Sequence, residues 1–77
     1  MSTKEIQNII TSIFDEKPIL KGISPDQDFF DRGASSLTIV DLQIQVESAL
    51  GKQADTSKLM NFPTINGWVS VYSEQSA

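Results

Sequence analysis

Two adjacent hydroxyls, Ser35 and Ser36, follow Gly33-Ala34 and stand just before Leu37 and an apolar helical pattern. A serine at a helix start most often serves as a cap, its oxygen accepting an orphan backbone N–H. The same position offers unpaired first-turn N–H groups and the positive end of the helix dipole. A phosphodiester would be favoured there without a metal or a histidine. Gly33 bends the chain and leaves room for something bulky to approach. Neither serine has an internal partner that would make it a hydrolytic nucleophile. The chain contains no histidine and no cysteine. That removes the Ser/His and Cys/His pairings, the usual general base, disulfides, and thiolate or imidazole metal sites. Carboxylate-only metal binding stays open, but no EF-hand spacing occurs. Two readings of the pair stand side by side: a cap only, or a site suited to a phosphate-linked group attached by another enzyme.

The elements that must position these serines fit a chain of 77 residues, enough for one domain over 1–77 with a marginal core. The chain starts with Met1, ends in a short polar tail, and is expected to be a complete, free-standing protein. It has no long apolar run and no signal-peptide pattern, so a cytoplasmic location without membrane attachment is expected. The net charge is −4, with the acids spread along the sequence and no basic patch. That argues against nucleic acid and anionic membranes as partners.

Ser2 to Glu5 spells a capping box, and Ile6, Ile9, Ile10, Ile13 and Phe14 follow at helical spacing, predicting a helix over about 3–16 that Pro18 stops. A long connection over 17–35 contains Ser24-Pro25-Asp26-Gln27, which reads as a single short turn. At least one of Phe29 and Phe30 should anchor this loop in the core, and a loop of this length in a small domain is usually functional. A second long helix is expected from Ser36 to Leu50, ended by Gly51, and a short third over about 56–61, capped by Asp55 or Thr56, with Leu59 inward. Pro63 breaks it, and Thr64 caps a last helix over about 65–75 whose apolar face is Ile65, Trp68, Val69 and Tyr72. Gly67 inside that helix costs about 1 kcal/mol relative to alanine, which a close helix contact would explain. Trp68 and Tyr72 are better read as core than as a ligand pocket. The fold class is all-α: a small four-helix bundle of three main helices and a short third one, with the long loop between the first two.

The second helix carries two apolar rows. At about 100° per residue, Ile39, Leu42, Val46, Ala49 and Leu50 share one side, which is the expected core side. Leu37, Val40 and Ile44 share the roughly opposite side, flanked by Asp41, Glu47 and Ser48. Either the helix is buried on both sides, or the second row is an exposed partner site.

The segment SPDQDFFDRGASSL resembles the attachment region of acyl and peptidyl carrier proteins, with its acid-x-Phe-Phe-Asp-x-Gly-x-x-Ser-Leu frame. The likeness extends over nearly the whole chain, through the long loop to Phe62-Pro63-Thr64-Ile65 before the last helix. It implies that Ser36, directly before Leu37, receives a 4′-phosphopantetheine arm from coenzyme A through a phosphopantetheinyl transferase. The arm's thiol then holds an acyl, aminoacyl or aryl group as a thioester, so the chemistry needs no cysteine of the chain. Asp31 and Gly33 match structural positions of the motif; Ser35 departs from it, since many members carry Asp or His there. The resemblance also makes the second helix the recognition element, with Leu37, Val40, Asp41, Ile44 and Glu47 as partner-binding residues.

These readings lead to a non-catalytic, monomeric acyl carrier that tethers intermediates in a polyketide or nonribosomal-peptide type pathway. An adenylating or acyltransferase enzyme would load it, and a ketosynthase or condensation-type enzyme would draw on it. A fatty-acid synthesis carrier ranks second, because the second helix is less acidic than such a carrier suggests. An unmodified helical interaction module, with Ser36 only a cap, is the remaining alternative.

Overall fold

A computed structural model of the chain describes residues 2–74. Four α-helices follow in order: α1 (Thr3–Asp15), α2 (Ser36–Leu50), α3 (Thr56–Asn61) and α4 (Ile65–Glu74). A 3₁₀ turn, Phe29–Arg32, lies in the long loop. No strand occurs among the described residues, and no described helix is long and apolar enough to cross a membrane. The fold class expected from the sequence is the one observed, and the last helix is described to Glu74, leaving Gln75 outside.

The capping box at the start of α1 is formed. Ser2 Oγ accepts from the Glu5 N–H at 3.1 Å, and Glu5 Oε1 accepts from the Ser2 N–H at 3.2 Å. Ile6, Ile10 and Phe14 of α1 are buried and pack against α2 and α4. The isoleucines are poor helix formers, so this burial is what holds α1. The core continues through Ile39, Leu42, Val46 and Leu50 of α2, Leu59 of α3, and Ile65, Trp68, Val69, Val71 and Tyr72 of α4. At its centre four aromatic rings meet edge to face. Phe14 and Phe29 have centroids 4.7 Å apart, Phe14 and Trp68 5.2 Å, Phe29 and Trp68 5.5 Å, and Trp68 and Tyr72 6.3 Å. Edge-to-face pairs add about 0.5–1.5 kcal/mol each beyond their area. Trp68 and Tyr72 are thus core residues.

Two sequence expectations are corrected. Ala49 is exposed, because α2 turns only its Ile39–Leu42–Val46–Leu50 row inward. Val71 is buried although it lies off the expected apolar face, because α4 is packed by both α1 and α3. Ser24–Gln27 closes the single short turn expected there, Gln27 N–H to Ser24 O at 3.0 Å. The helical piece of the loop comes later, at Phe29–Arg32, where Asp28 Oδ1 accepts from the Phe30 N–H at 2.7 Å. Asp55, rather than Thr56, takes the N-cap position of α3, but its side chain makes no cap bond.

The loop is pinned at both ends. Leu20, Ile23 and Phe29 are buried anchors. Phe29 N–H donates to Pro63 O at 2.8 Å and Asn66 N–H to Pro25 O at 3.0 Å. Asn66 Nδ2 donates to Asp26 Oδ1 at 2.6 Å. The corner between α3 and α4 therefore holds the loop that leads into α2. Gly67 makes this corner possible: a Cβ there would lie 2.6 Å from the Phe62 carbonyl oxygen and 2.7 Å from Phe62 Cβ. The close contact expected at this glycine is with the turn before its own helix.

Candidate functional site

The end of the pinned loop sets the geometry of the serine pair. The 3₁₀ turn stops at Gly33, whose φ of +91° lies in the left-handed region that glycine adopts without strain. Ala34 is buried, and its N–H returns to Phe29 O at 3.2 Å. Ser35 then takes an extended backbone and becomes the N-cap of α2, its Oγ accepting from the Thr38 N–H at 3.3 Å. Ser36 is the first residue of the helix proper and is exposed. The two hydroxyls are divided: one closes the helix end, and the other makes no side-chain hydrogen bond among the described residues.

The exposed row of α2 starts beside that hydroxyl. Leu37 is 82% exposed, Val40 40% and Ile44 63%, while Ile39, Leu42 and Val46 are fully buried. Apolar side chains are therefore exposed in line on a helix that has already met its core duty. Asp41 lies exposed beside the row and pairs with Lys17, two residues past the end of α1. Gln45 Nε2 adds a bond to the same carboxylate at 3.3 Å. The Lys17 ammonium, with help from Gln45, holds the Asp41 carboxyl below its ordinary value.

Glu47 is placed differently from the sequence expectation that grouped it with this flank. Its Oε2 accepts from the Ala54 N–H at 2.9 Å, from Tyr72 OH at 3.1 Å and from Gln43 Nε2 at 3.1 Å. The half-buried carboxylate is turned toward α4 and the chain entering α3. Burial and this carboxylate push the Tyr72 phenol above its ordinary value. Sequence reasoning missed the group around Glu47. The Gln43–Glu47 spacing is a visible helical pair, but nothing local marks a tyrosine 25 residues on as the third member. Phe30, 41% exposed on the 3₁₀ turn, also lies outside the core that receives Phe29.

Residues 4–71 match the family described as "Phosphopantetheine attachment site". The chain belongs to this family. Its members hold 4′-phosphopantetheine covalently, and carrier domains of this kind are generally non-catalytic. Over 53 residues the chain is 34% identical to "Tenellin synthetase" of Beauveria bassiana (strain ARSEF 2860), and to the same extent to "Tenellin synthetase" of Beauveria bassiana. That stretch is 69% of this chain and 1% of each relative, so the carrier spans a very small part of the proteins it matches. No solved structure gave a significant match.

The residues present fit the phosphopantetheine group. Ser36 Oγ is accessible and uncommitted, and Ser35 relieves it of capping. A Cβ built at Gly33 meets nothing within 4 Å, so the approach is open on that side. The first-turn N–H groups of α2 face the same end and favour a phosphate.

Proposed function

We propose that this chain carries biosynthetic intermediates on a 4′-phosphopantetheine arm joined to Ser36 Oγ. The observation that carries the reading is the division of labour between the serines: Ser35 caps, and Ser36 presents a free hydroxyl beside an exposed apolar row. Once attached, the group supplies a thiol that holds the intermediate as a thioester. The chain's own part is to offer the hydroxyl to a phosphopantetheinyl transferase, to favour the phosphodiester at the helix N-terminus, and to dock the enzymes that load and unload the arm. Leu37, Val40 and Ile44 form the docking row, with Asp41 beside it. Apolar contact supplies affinity and charge mainly orientation and on-rate. The row is small, which suits a carrier that must release quickly.

The likeness to a fungal synthetase supports a role in a biosynthetic assembly, of polyketide or nonribosomal-peptide type, in which the chain acts as a non-catalytic monomer. Asp41 and Glu47 are the only acids of α2, and Glu47 is turned inward, so the docking face is only weakly acidic. That favours this reading over a fatty-acid synthesis carrier.

Incubation with coenzyme A and a broad-range transferase, followed by intact mass, tests the assignment. Ser35→Ala should still take the arm while losing about 1 kcal/mol of helix capping. Ser36→Ala should keep its stability and take no arm. An arm on Ser36→Ala would remove the assignment, and a wild-type chain that takes none would favour the unmodified interaction module.

A further inference from the structure

Ser36, Val40, Gln43 and Glu47 fall on one row of α2, at spacings of four, three and four residues. The row begins at the free hydroxyl and runs between the core side and the exposed side of the helix. Its far half is closed by side-chain hydrogen bonds. Gln43 Oε1 accepts from Thr56 Oγ1 at 2.7 Å, and Gln43 Nε2 donates to Ala54 O at 3.1 Å as well as to Glu47. Together with the bonds from Ala54 N–H and Tyr72 OH to Glu47, one amide and one carboxylate join α2, the chain entering α3, and α4. Helix α3 has only six residues, and its preceding residue, Asp55, makes no capping bond. Its entry is therefore held by α2, not by its own cap. Its body is held by the buried Leu59, whose carbonyl accepts from Trp68 Nε1 at 3.1 Å.

We propose that the Gln43–Glu47 network is a latch that keeps the seam between α2 and α3 shut below Ser36, so that a group carried on this serine stays outside the helices. The inference rests on the reading of Ser36 as the attachment residue. A carried apolar chain that followed the row would pass Val40 and then meet the latch. To go between α2 and α3 it would have to part the three bonds that cross the seam, those of Gln43 with Thr56 and with the Ala54 carbonyl and that of Glu47 with the Ala54 N–H. That would take from the Ala54 N–H and carbonyl and from the Thr56 hydroxyl the partners they have in α2, in a place an apolar chain cannot solvate. A groove does exist between α3 and α4, lined by Lys58, Phe62, Gly67, Ser70, Val71 and Glu74, but no residue of α2 lines it. Intermediates on this carrier are then selected by the enzymes that meet them, not by a fit inside the carrier.

The test has two readouts. In the unmodified chain, amide exchange at residues 54–58 is compared between wild type, Gln43→Leu, and the milder Thr56→Val, which removes one donor. Exchange there should quicken tenfold or more in Gln43→Leu and less in Thr56→Val, with Ile10 and Trp68 as protected as before. Unchanged exchange at 54–58 in both variants overturns the latch, as does quickening that is uniform over the whole chain in Thr56→Val. The second readout uses the arm-bearing chain loaded with an octanoyl group. Methyl resonances of Ala54 and Leu59 should ignore octanoylation in the wild type and respond to it in Gln43→Leu. A wild-type response at these methyls overturns the exclusion of cargo. If the mass of the wild-type chain shows no arm, or Ser36→Ala still accepts one, the attachment reading fails instead. The exchange readout still decides whether the latch exists.

Discussion

Helices α1 and α2 are of similar length and contribute to one core, yet they distribute their apolar residues in opposite ways. In α1 the apolar residues gather on one side, with Ile6, Ile10 and Phe14 inside and Lys4, Glu5, Asn8 and Ser12 outside. In α2 they surround the helix: Ile39, Leu42 and Val46 inside, Leu37, Val40 and Ile44 outside. A helix that serves only the core has no reason to keep leucine and isoleucine in water. The proposed docking role explains the contrast: α1 is patterned for the core, and α2 for the core and for a partner.

The strongest way to break that contrast is truncation on the two sides of α2. Leu42→Ala should cost about 2–5 kcal/mol, enough to unfold much of a domain this small, while Ile44→Ala should stay within about 0.5 kcal/mol. Urea unfolding of both variants, with Ile10→Ala as the α1 counterpart, measures it. Equal losses for Leu42 and Ile44 would mean that α2 is buried all round.

The outer row is sharpened by charge. Leu37→Asp and Ile44→Asp should leave helicity and the melting midpoint nearly unchanged and lower loading by the cognate enzyme about tenfold or more, equivalent to at least about 1.4 kcal/mol of lost transition-state binding. Asn8→Asp, on the exposed side of α1, should do nothing to loading. Val71 is unsuitable as a control, since it is buried.

A smaller effect separates the inward acid of α2 from the outward one. Tyr72, bonded to Glu47, has its phenol raised above the ordinary value of 10.0. The unfolded chain then loses this proton at a lower pH than the folded chain does. The stability it contributes is whole below about pH 10 and falls above it, by about 1.4 kcal/mol per pH unit. Denaturant titrations from pH 9 to 11 should show this slope and lose much of it in Tyr72→Phe.

The least effect is expected at Asp41. Its carboxyl is held low by Lys17, so what the pair contributes is present above the unfolded value and is lost as the pH falls through the lower folded value. Asp41→Asn should shift the melting midpoint slightly at pH 7 and at low salt, and less as the pH falls through the lowered folded value. A large shift would place this outward acid among the groups that hold the fold.

Helix positions were legible because their signals are local. Ser2 and Glu5, Pro18, Gly51, Pro63 and Thr64 each act on the backbone within a few residues, and α2 and α3 run where those residues place them. The exposed row was legible as a choice between two arrangements, which α1 and α3 decide by covering the other side. Val71 and Ala49 were misread because burial at the edge of a helix depends on which neighbour packs there. The 3₁₀ turn at Phe29–Arg32 is too short to show periodicity. Its trace in the sequence is Asp28, an acceptor placed two residues before the N–H that it binds. Glu47 was misread for the same reason as Val71: its partners come from residues 54 and 72, and an acid on the outer flank of a helix looks solvated until they are known.

Trp68, the only tryptophan of the chain, stands where α1, the long loop and α4 come together, its ring edge-on to Phe14 and Phe29 and its N–H on the Leu59 carbonyl. The molecule therefore contains its own optical gauge. Emission from this one indole reads out whether the loop that delivers Ser36 is seated, and it does so without a label on the surface where partners would touch.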